Sequence, residues 1–356
     1  MSERPHVELS WFAALCDDDT EYLGVPDPGL ASSWEHCRDI VLAAERNGFD
    51  SVLLPSGYAV GIDATAFAAA IATHTDHIGL LLAVRMGETW LPQLARQLAT
   101  IDRMSGGRLT INIISSDLPG QQMESAQRYQ RTREWMRALR ALLDGSPLDA
   151  HGAHVHLQVD PPKVATVGRA CPLFYFGGFS DAAKDVAASD ADVYLTWPDT
   201  VDAVKATVTE MRERSAAHGR ELRFGLRVHM IVRESEAEAR RAAIRLVSRL
   251  DDGIGDRIRA RSLDATSVGV QRQAELRAAA SGDGFVEAAL WTGIGRARSG
   301  AGAAIVGDPE QVLAKLDAYR DCGIDTFILS GYPHLDECHF VAQHVLQRLP
   351  HAALTR

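Results

Sequence analysis

The chain has 356 residues, 46% hydrophobic and 24% charged, an ordinary globular composition that excludes disordered, collagenous and low-complexity classes. Its formal charge is −10, from 37 Lys+Arg against 47 Asp+Glu, so no chain-wide attraction draws it to nucleic acid or an anionic membrane. Five cysteines, an odd number without a CxxC pair, speak against a disulfide framework or a zinc site. No stretch reaches about 18 apolar residues and no signal-peptide core opens the chain, so a reduced, cytoplasmic protein is expected.

The hydrophobic period alternates along the chain between strand and helix types. Residues 7–15 predict a strand, then comes a long loop at 16–32 and a helix at 34–47 closed by Gly48. Strands follow at 51–55 and 78–85, a helix at 91–104 ended by Ser105-Gly106-Gly107, a strand at 109–115 and a helix at 123–143. Residues 145–172, with Pro, Gly and His, read as an irregular excursion. Strands at 173–177 and 193–197, a helix at 201–217 and a strand at 224–232 continue the pattern. Residues 251–304 begin helix-like and end in GIGRARSGAGAAIVG, after which Asp308-Pro309 opens a helix at 309–321 and 326–331 is the last strand. Eight strands separated by helices predict an α/β fold, a closed (β/α)8 TIM barrel. The chain is expected to form one domain, with insertions at 16–32, 145–172 and 251–304.

A barrel concentrates function at the C-terminal ends of its strands. In FGLRVHMIV, Arg227 and His229 stand two apart and so share a strand face. On an inward face they are costly unless they bind a ligand or pair with a nearby acid. SGYPHLDE presents Tyr332 and His334 just past the last strand, as a second pocket wall or as packing and capping groups. LTWP puts Trp197 at the rim, where its ring covers a planar ligand or joins the core. In LFYFGGFSDAA, the backbone of Gly177, Gly178 and Phe179 and the hydroxyl of Ser180 precede a helix starting near Asp181. They form either a phosphate seat or a plain N-cap. GIGRARSGAGAAIVG follows no predicted strand and lacks the Lys-Ser/Thr of a P-loop. It is read as a mobile segment carrying Arg296 or Arg298 over an anionic ligand, or as an ordinary loop. HExxH, GxSxG and clustered Cys/His ligands are absent, and His151, His154 and His156 are not expected to hold a metal.

At these residues the chain resembles the bacterial luciferase-type flavin monooxygenases, most closely the alkanesulfonate monooxygenases. The resemblance runs from about Ser10 to Leu349. It rests on WF, ARQLATIDRMSGGR, PLFYFGGFSDAA, DVYLTW, FGLRVHMIVRE, GAGAAIVGD and GIDTFILSGYPHLDE in that order. It implies a (β/α)8 barrel in a two-component system. A separate NAD(P)H-dependent flavin reductase supplies FMN as FMNH2, with O2 as cosubstrate, and a sulfonate or related organosulfur compound is cleaved to an aldehyde and sulfite. Carried over by motif, Arg227, His229, Tyr332 and Arg298 are the expected catalytic set, with Arg227, Arg298, Trp197 and His334 on the substrate. Arg227 and Arg298 are expected to hold the sulfonate and stabilise charge on the oxygen-activated flavin, and His229 and Tyr332 to move protons. The FMN phosphate is expected on Gly178, Phe179 and Ser180, with Tyr129 and Asn112 near the flavin. The family precedent is a dimer or tetramer.

Three departures stand out. PSGYAVGIDA has Tyr58, Val60 and Gly61 where the family usually carries a cysteine. NIISS, ending in Ser115-Ser116, replaces N-x-V-T-G, and QRY replaces E-R-Y. Alternative readings keep the fold: an FMNH2 monooxygenase acting on a sulfone, heterocycle or natural-product intermediate, or an F420-dependent oxidoreductase that needs no O2. A flavin-binding protein without activity fits poorly with the Arg227, His229 and Tyr332 set.

Overall fold

The computed structural model describes residues 6–260, 267–298 and 300–355. Eight strand-forming runs pair in parallel, in chain order, and close on themselves. They are β1 (Glu8–Phe12), β2 (Ser51–Leu54), β3 (Gly79–Arg85), β4 (Leu109–Ile114), β5 (Phe174–Gly177), β6 (Val193–Thr196), β7 (Arg223–Val232) and β8 (Thr326–Ser330), with Thr326 of β8 opposite Glu8 of β1. The predicted (β/α)8 barrel is present, seven of its strands trimmed by one to three residues at an end and β7 beginning one residue earlier than expected.

Eleven α-helices are described: α1 (Trp34–Asn47), α2 (Ala64–Ile71), α3 (Leu91–Met104), α4 (Ser125–Leu143), α5 (Asp181–Asp190), α6 (Val201–Ala217), α7 (Glu236–Leu246), α8 (Asp252–Ala260), α9 (Val268–Ala278), α10 (Pro309–Cys322) and α11 (His334–His344). Local chemistry sets their ends. Ser33 accepts the His36 amide to start α1, and Gly48, at φ 88°, closes it. Asp308 and Gln311 form a reciprocal capping box on α10, with Pro309 in its first turn.

Alternation along the strands sorts the core into two layers. Outward residues such as Leu226, Val228 and Met230 join the large cluster under the helices. Inside the barrel a smaller cluster, Phe12, Leu53, Leu81, Tyr175, Val193 and Ile328, forms a floor. Below it the buried Glu8 carboxylate accepts the hydroxyls of Tyr175 at 2.8 Å and Thr326 at 2.7 Å. Above the floor, toward the C-terminal ends, Arg227 points inward.

β7 is ten residues long and has two neighbours on one side. Its first half pairs with β6, which ends as the chain turns at Trp197-Pro198. Its second half pairs with a short parallel strand, Ala304–Gly307, in which Ala304 lies opposite His229. That register brings the preceding segment, with Arg298, over the barrel mouth.

Two expectations are corrected. Residues 145–172 contain an antiparallel hairpin, Leu148–His151 against His156–Val159, and Glu134 of α4 accepts the amides of Ala153, His154 and Val155 in its turn. Its strands, LDAH and HLQV, do alternate apolar and polar residues, but at four residues each they are short beside the Pro, Gly and His of the segment. GIGRARSGAGAAIVG does follow a strand, Leu290–Trp291, too short to read from sequence, and its end forms the strand on β7. Among the described residues no helix is long and apolar enough to cross a membrane.

Candidate active site

The C-terminal ends of the strands surround a cavity of about 1010 Å³. Its wall includes Phe12, Asn112, Gly178, Trp197, Arg227 and Ile328 from the barrel, and Arg298 from the segment before Ala304–Gly307. Tyr129, Phe179 and Ser180 also face it, so one cavity gathers most of the residues singled out from sequence.

The two arginines differ in their bonding. Arg227 is 6% exposed. Its Nη1 donates to the carbonyls of Val228 at 3.1 Å and Ile328 at 3.4 Å, while its buried Nη2 has no hydrogen-bond partner among the described residues. Burial, then the charge of Arg298, lower its pKa to about 9. Arg298 has acceptors: its Nη1 donates to Asp18 Oδ2 at 2.9 Å and to the Tyr332 hydroxyl at 2.6 Å. Burial acts against its charge, but Tyr332 and Asp18 hold its pKa above the ordinary arginine value. Of the two arginines in GIGRAR, Arg298 and not Arg296 lines the cavity.

His229, Tyr332 and His334 form a second layer. The His229 ring stacks on Tyr332, centroids 5.3 Å apart, and its Nδ1 lies 2.8 Å from Ser330 Oγ. The Ala301 backbone also bears on the ring and favours its charged form. Burial first, then Arg227 and Arg298, push its pKa well below the ordinary histidine value, so the ring is neutral at neutral pH. Burial raises the Tyr332 phenol, with Arg298 opposing. His334 meets Tyr332 edge-on at 5.1 Å and is fully buried, its Nδ1 2.9 Å from Asp19 Oδ1. None of the three lines the cavity; they stand behind Arg227, Arg298 and Phe12, whose ring is 5.6 Å from His334. The expected second pocket wall is therefore a backing layer, because Tyr332 turns in under Arg298 and His334 turns to Asp19.

At the other end, Ser180 caps α5 by accepting the Ala183 amide at 3.3 Å, so the N-cap reading is realised. Gly178 sits in a backbone conformation, φ 155°, where a Cβ would lie 2.5 Å from Ala183 Cβ. Its carbonyl accepts the Tyr194 hydroxyl at 2.7 Å. The Phe179 and Trp197 rings lie 5.7 Å apart, and Trp197 is half-buried at the rim, not in the core. Asn112, on β4, is half-buried in the opposite wall.

Sequence reasoning missed three groups. Arg128, beside Tyr129 in QRYQRTREW, faces the cavity with its Nε buried and without a hydrogen-bond partner among the described residues, while its Nη1 lies 3.3 Å from Asp117 Oδ1. Asking which cation stands in the first turn of α4 finds it. Asp18 and Asp19 had no such signal. Tyr58 and Val60, at the family's cysteine position, are 70% and 46% exposed and outside the cavity wall. Against their turn packs Cys16: a Cβ on Gly57 would meet its Sγ at 3.2 Å. Burial, then Asp18, push that thiol up to about 12, so it stays protonated. His151 pairs with Asp149 on the exposed hairpin, and no metal-holding cluster exists among the described residues.

Comparison with known proteins adds three findings. The luciferase-like monooxygenase family model matches residues 9–326. A sulfoquinovose monooxygenase of Novosphingobium aromaticivorans is 59% identical over 98% of each chain, and one of Agrobacterium fabrum is 49% identical over 97% of this chain and 92% of its own. The crystal structure of a riboflavin lyase, solved with modified FMN and riboflavin, superposes with a TM-score of 0.79 at 16% identity, over 96% of this chain and 91% of that one.

Proposed function

Because the chain belongs to the luciferase-like monooxygenase family, we propose that it is an FMNH2-dependent, two-component monooxygenase whose substrate is a sulfonated sugar of the sulfoquinovose type. Membership and the two relatives make it a flavin-dependent monooxygenase; substrate, reductant and products are the proposal.

The observation that carries it is Arg227 Nη2. A buried guanidinium nitrogen without an acceptor, on a cavity wall, is an incomplete anion site. A sulfonate oxygen completes it. Arg298 is already held by Asp18 and Tyr332, so Arg227 is the primary seat and Arg298 the second contact. The rest of the wall suits a polyol better than an alkyl chain, since Ser115, Asp117, Gln122 and Gln127 all face the cavity.

The other half of the cavity fits FMN. Gly178 lets the backbone pass close against Ala183 at the start of α5, where a Cβ would clash, the amides and hydroxyl at Phe179 and Ser180 open that helix, and Arg128, its Nε unpartnered among the described residues, supplies a cation. Tyr129 and Asn112 stand where they can flank the isoalloxazine, and Trp197 covers the rim. When bound, reduced flavin would supply the two electrons needed for one atom of O2 to reach the carbon bearing the sulfonate and the other to leave as water. That carbon becomes an aldehyde and the sulfur leaves as sulfite. The protein's own contribution is charge placement and proton holding. Arg227 orients the sulfonate and Arg298 stabilises negative charge developing above it. Tyr332 accepts a hydrogen bond from Arg298, so its own proton remains available to donate. His229, neutral and stacked behind it, is a base that can receive a proton. A separate NAD(P)H-dependent reductase supplies the flavin.

The test is sulfite release from sulfoquinovose with FMNH2 supplied by an unrelated reductase, run in air and under argon. Sulfite that requires this protein, flavin and oxygen supports the reading. Substrate oxidation that persists under argon refutes it in favour of hydride transfer.

A further inference from the structure

Residues 17–19 are three consecutive aspartates, and their side chains diverge to three different elements. Asp17 pins the loop itself: its Oδ1 accepts the Ser32 amide at 2.7 Å and its Oδ2 the Gly61 amide at 3.1 Å. Asp18 reaches Arg298, 280 positions away. Asp19 reaches His334, 315 positions away, and also His36 of α1. We infer that Asp18 and Asp19 form a positioning clasp for the oxygenation site, Asp18 setting the place of the Arg298 guanidinium and Asp19 the tautomer and orientation of His334 behind Tyr332. The inference rests on the proposed function for its catalytic meaning, though its geometry does not.

Asp18 acts through one atom. Arg298 Nη1 donates both to Asp18 Oδ2 and to the Tyr332 hydroxyl, so two acceptors define where the charge sits. Without the carboxylate, Tyr332 is the sole remaining anchor of that nitrogen among the described residues. The Arg298 and Asp18 side chains are 18% and 19% exposed, so the pair is largely desolvated and stronger than a surface pair. The same carboxylate offsets the second of two neighbouring guanidiniums, since Arg227 has no acidic hydrogen-bond partner among the described residues.

Asp19 acts through the acceptor-only character of a carboxylate. Its side chain is fully buried and surrounded by four donor positions: the Thr20 amide at 2.9 Å, the His334 amide at 3.0 Å, His334 Nδ1 at 2.9 Å and His36 Nε2 at 2.8 Å. Burial works against its charge, but His334 and His36 hold its pKa below the ordinary carboxylate range, so it accepts and does not donate. His334 must then carry its proton on Nδ1. This is the orienting arrangement of an acid–imidazole pair, and it holds the ring edge-on against Tyr332. Because Asp18 and Asp19 are adjacent, one loop segment sets both groups at once.

Two measurements test the clasp independently of turnover. In wild-type protein labelled with 15N-histidine, long-range 1H–15N spectra assign each ring's protonated nitrogen, and His334→Gln identifies the His334 signals. We expect Nδ1 of His334 protonated; an unprotonated Nδ1 overturns the Asp19 role. In protein labelled with 15N-arginine, the Arg298 side-chain signal, identified by Arg298→Lys, should shift in Asp18→Asn and return in Asp18→Glu. An unchanged signal in Asp18→Asn overturns the Asp18 role. With turnover established, Asp18→Asn should lower kcat about 10–100-fold with KM for the sulfonate changed less than about threefold, and Asp18→Glu should recover part of it. Equal kcat in Asp18→Asn and wild type contradicts the clasp. No sulfite from wild type contradicts the proposed function alone, because the spectra still decide the geometry.

Discussion

Arg227 and Arg298 converge on one ring, their guanidinium carbons 4.4 and 5.4 Å from the Phe12 centroid, yet of the two only Arg298 holds a carboxylate among the described residues. Phe12 ends β1, so its ring makes a cation–π contact with each of the two guanidiniums. Burial first, and then the like charge of Arg298, disfavour the charged form of Arg227. An incoming sulfonate relieves that repulsion while completing the hydrogen bonding of Nη2. The unpartnered nitrogen and the charge without a carboxylate among the described residues therefore belong to the same side chain.

The two arginines should separate kinetically. Arg227→Ala removes the primary anion contact and is expected to raise KM for the sulfonate about 30–1,000-fold, equivalent to about 2–4 kcal/mol. Arg227→Lys should restore little, since a lysine cannot reproduce the planar fork held by two carbonyls. Arg298→Ala should act mainly on kcat and abolish turnover with the fold intact. Steady-state kinetics on both variants, with circular dichroism as control, checks the division.

Arg128 should read the phosphate of the flavin. Its loss to alanine is expected to weaken FMN about 10–100-fold, as expected of a charge-assisted hydrogen bond, and leave riboflavin binding nearly unchanged. Fluorescence titration of both flavins gives the ratio; equal losses would assign Arg128 a purely structural role.

Gly178→Ala should fail for a steric reason that can be repaired. The new Cβ meets Ala183 Cβ at 2.5 Å. We expect a loss of about 1–3 kcal/mol in stability and weaker FMN binding. The double variant Gly178→Ala/Ala183→Gly should recover part of both, as measured by urea unfolding and flavin titration.

Stability should fall on the acid side because of His229. Burial and the two guanidiniums keep its folded pKa well below the ordinary 6.5, whereas the unfolded chain titrates normally. Between those values the unfolded state binds a proton that the folded state does not. The stabilisation is therefore complete above pH 6.5 and is lost below it, by up to about 1.4 kcal/mol per pH unit. His229→Gln should flatten the slope between pH 6.5 and about 5 in urea unfolding. An unchanged slope would mean that the ring is charged in the folded protein.

The parts of the site that lie on strands were legible from sequence, and those that depend on distant loops were not. Arg227 and His229 are two residues apart on a strand, and period-two alternation alone turns both inward. Gly178 and Ser180 announced themselves by composition and by the helix they open. By contrast, Asp18 belongs to a long loop with no periodicity, and its partner Arg298 is 280 positions away. The strand Ala304–Gly307, which aims that arginine, is four residues long and hides within a glycine-rich run. Their place just past the last strand pointed to Tyr332 and His334, but their retreat behind Arg298 is set by hydrogen bonds to Arg298 and Asp19 that only the folded chain displays.

The most direct test of the central claim is the ratio of kcat/KM for sulfoquinovose to that for hexanesulfonate, measured by sulfite release with FMNH2 and O2. A wall built to pair hydroxyls rejects an analogue that lacks them, so the ratio should exceed about one hundred. A ratio near one, or one favouring hexanesulfonate, would contradict the assignment of a sugar sulfonate to this site.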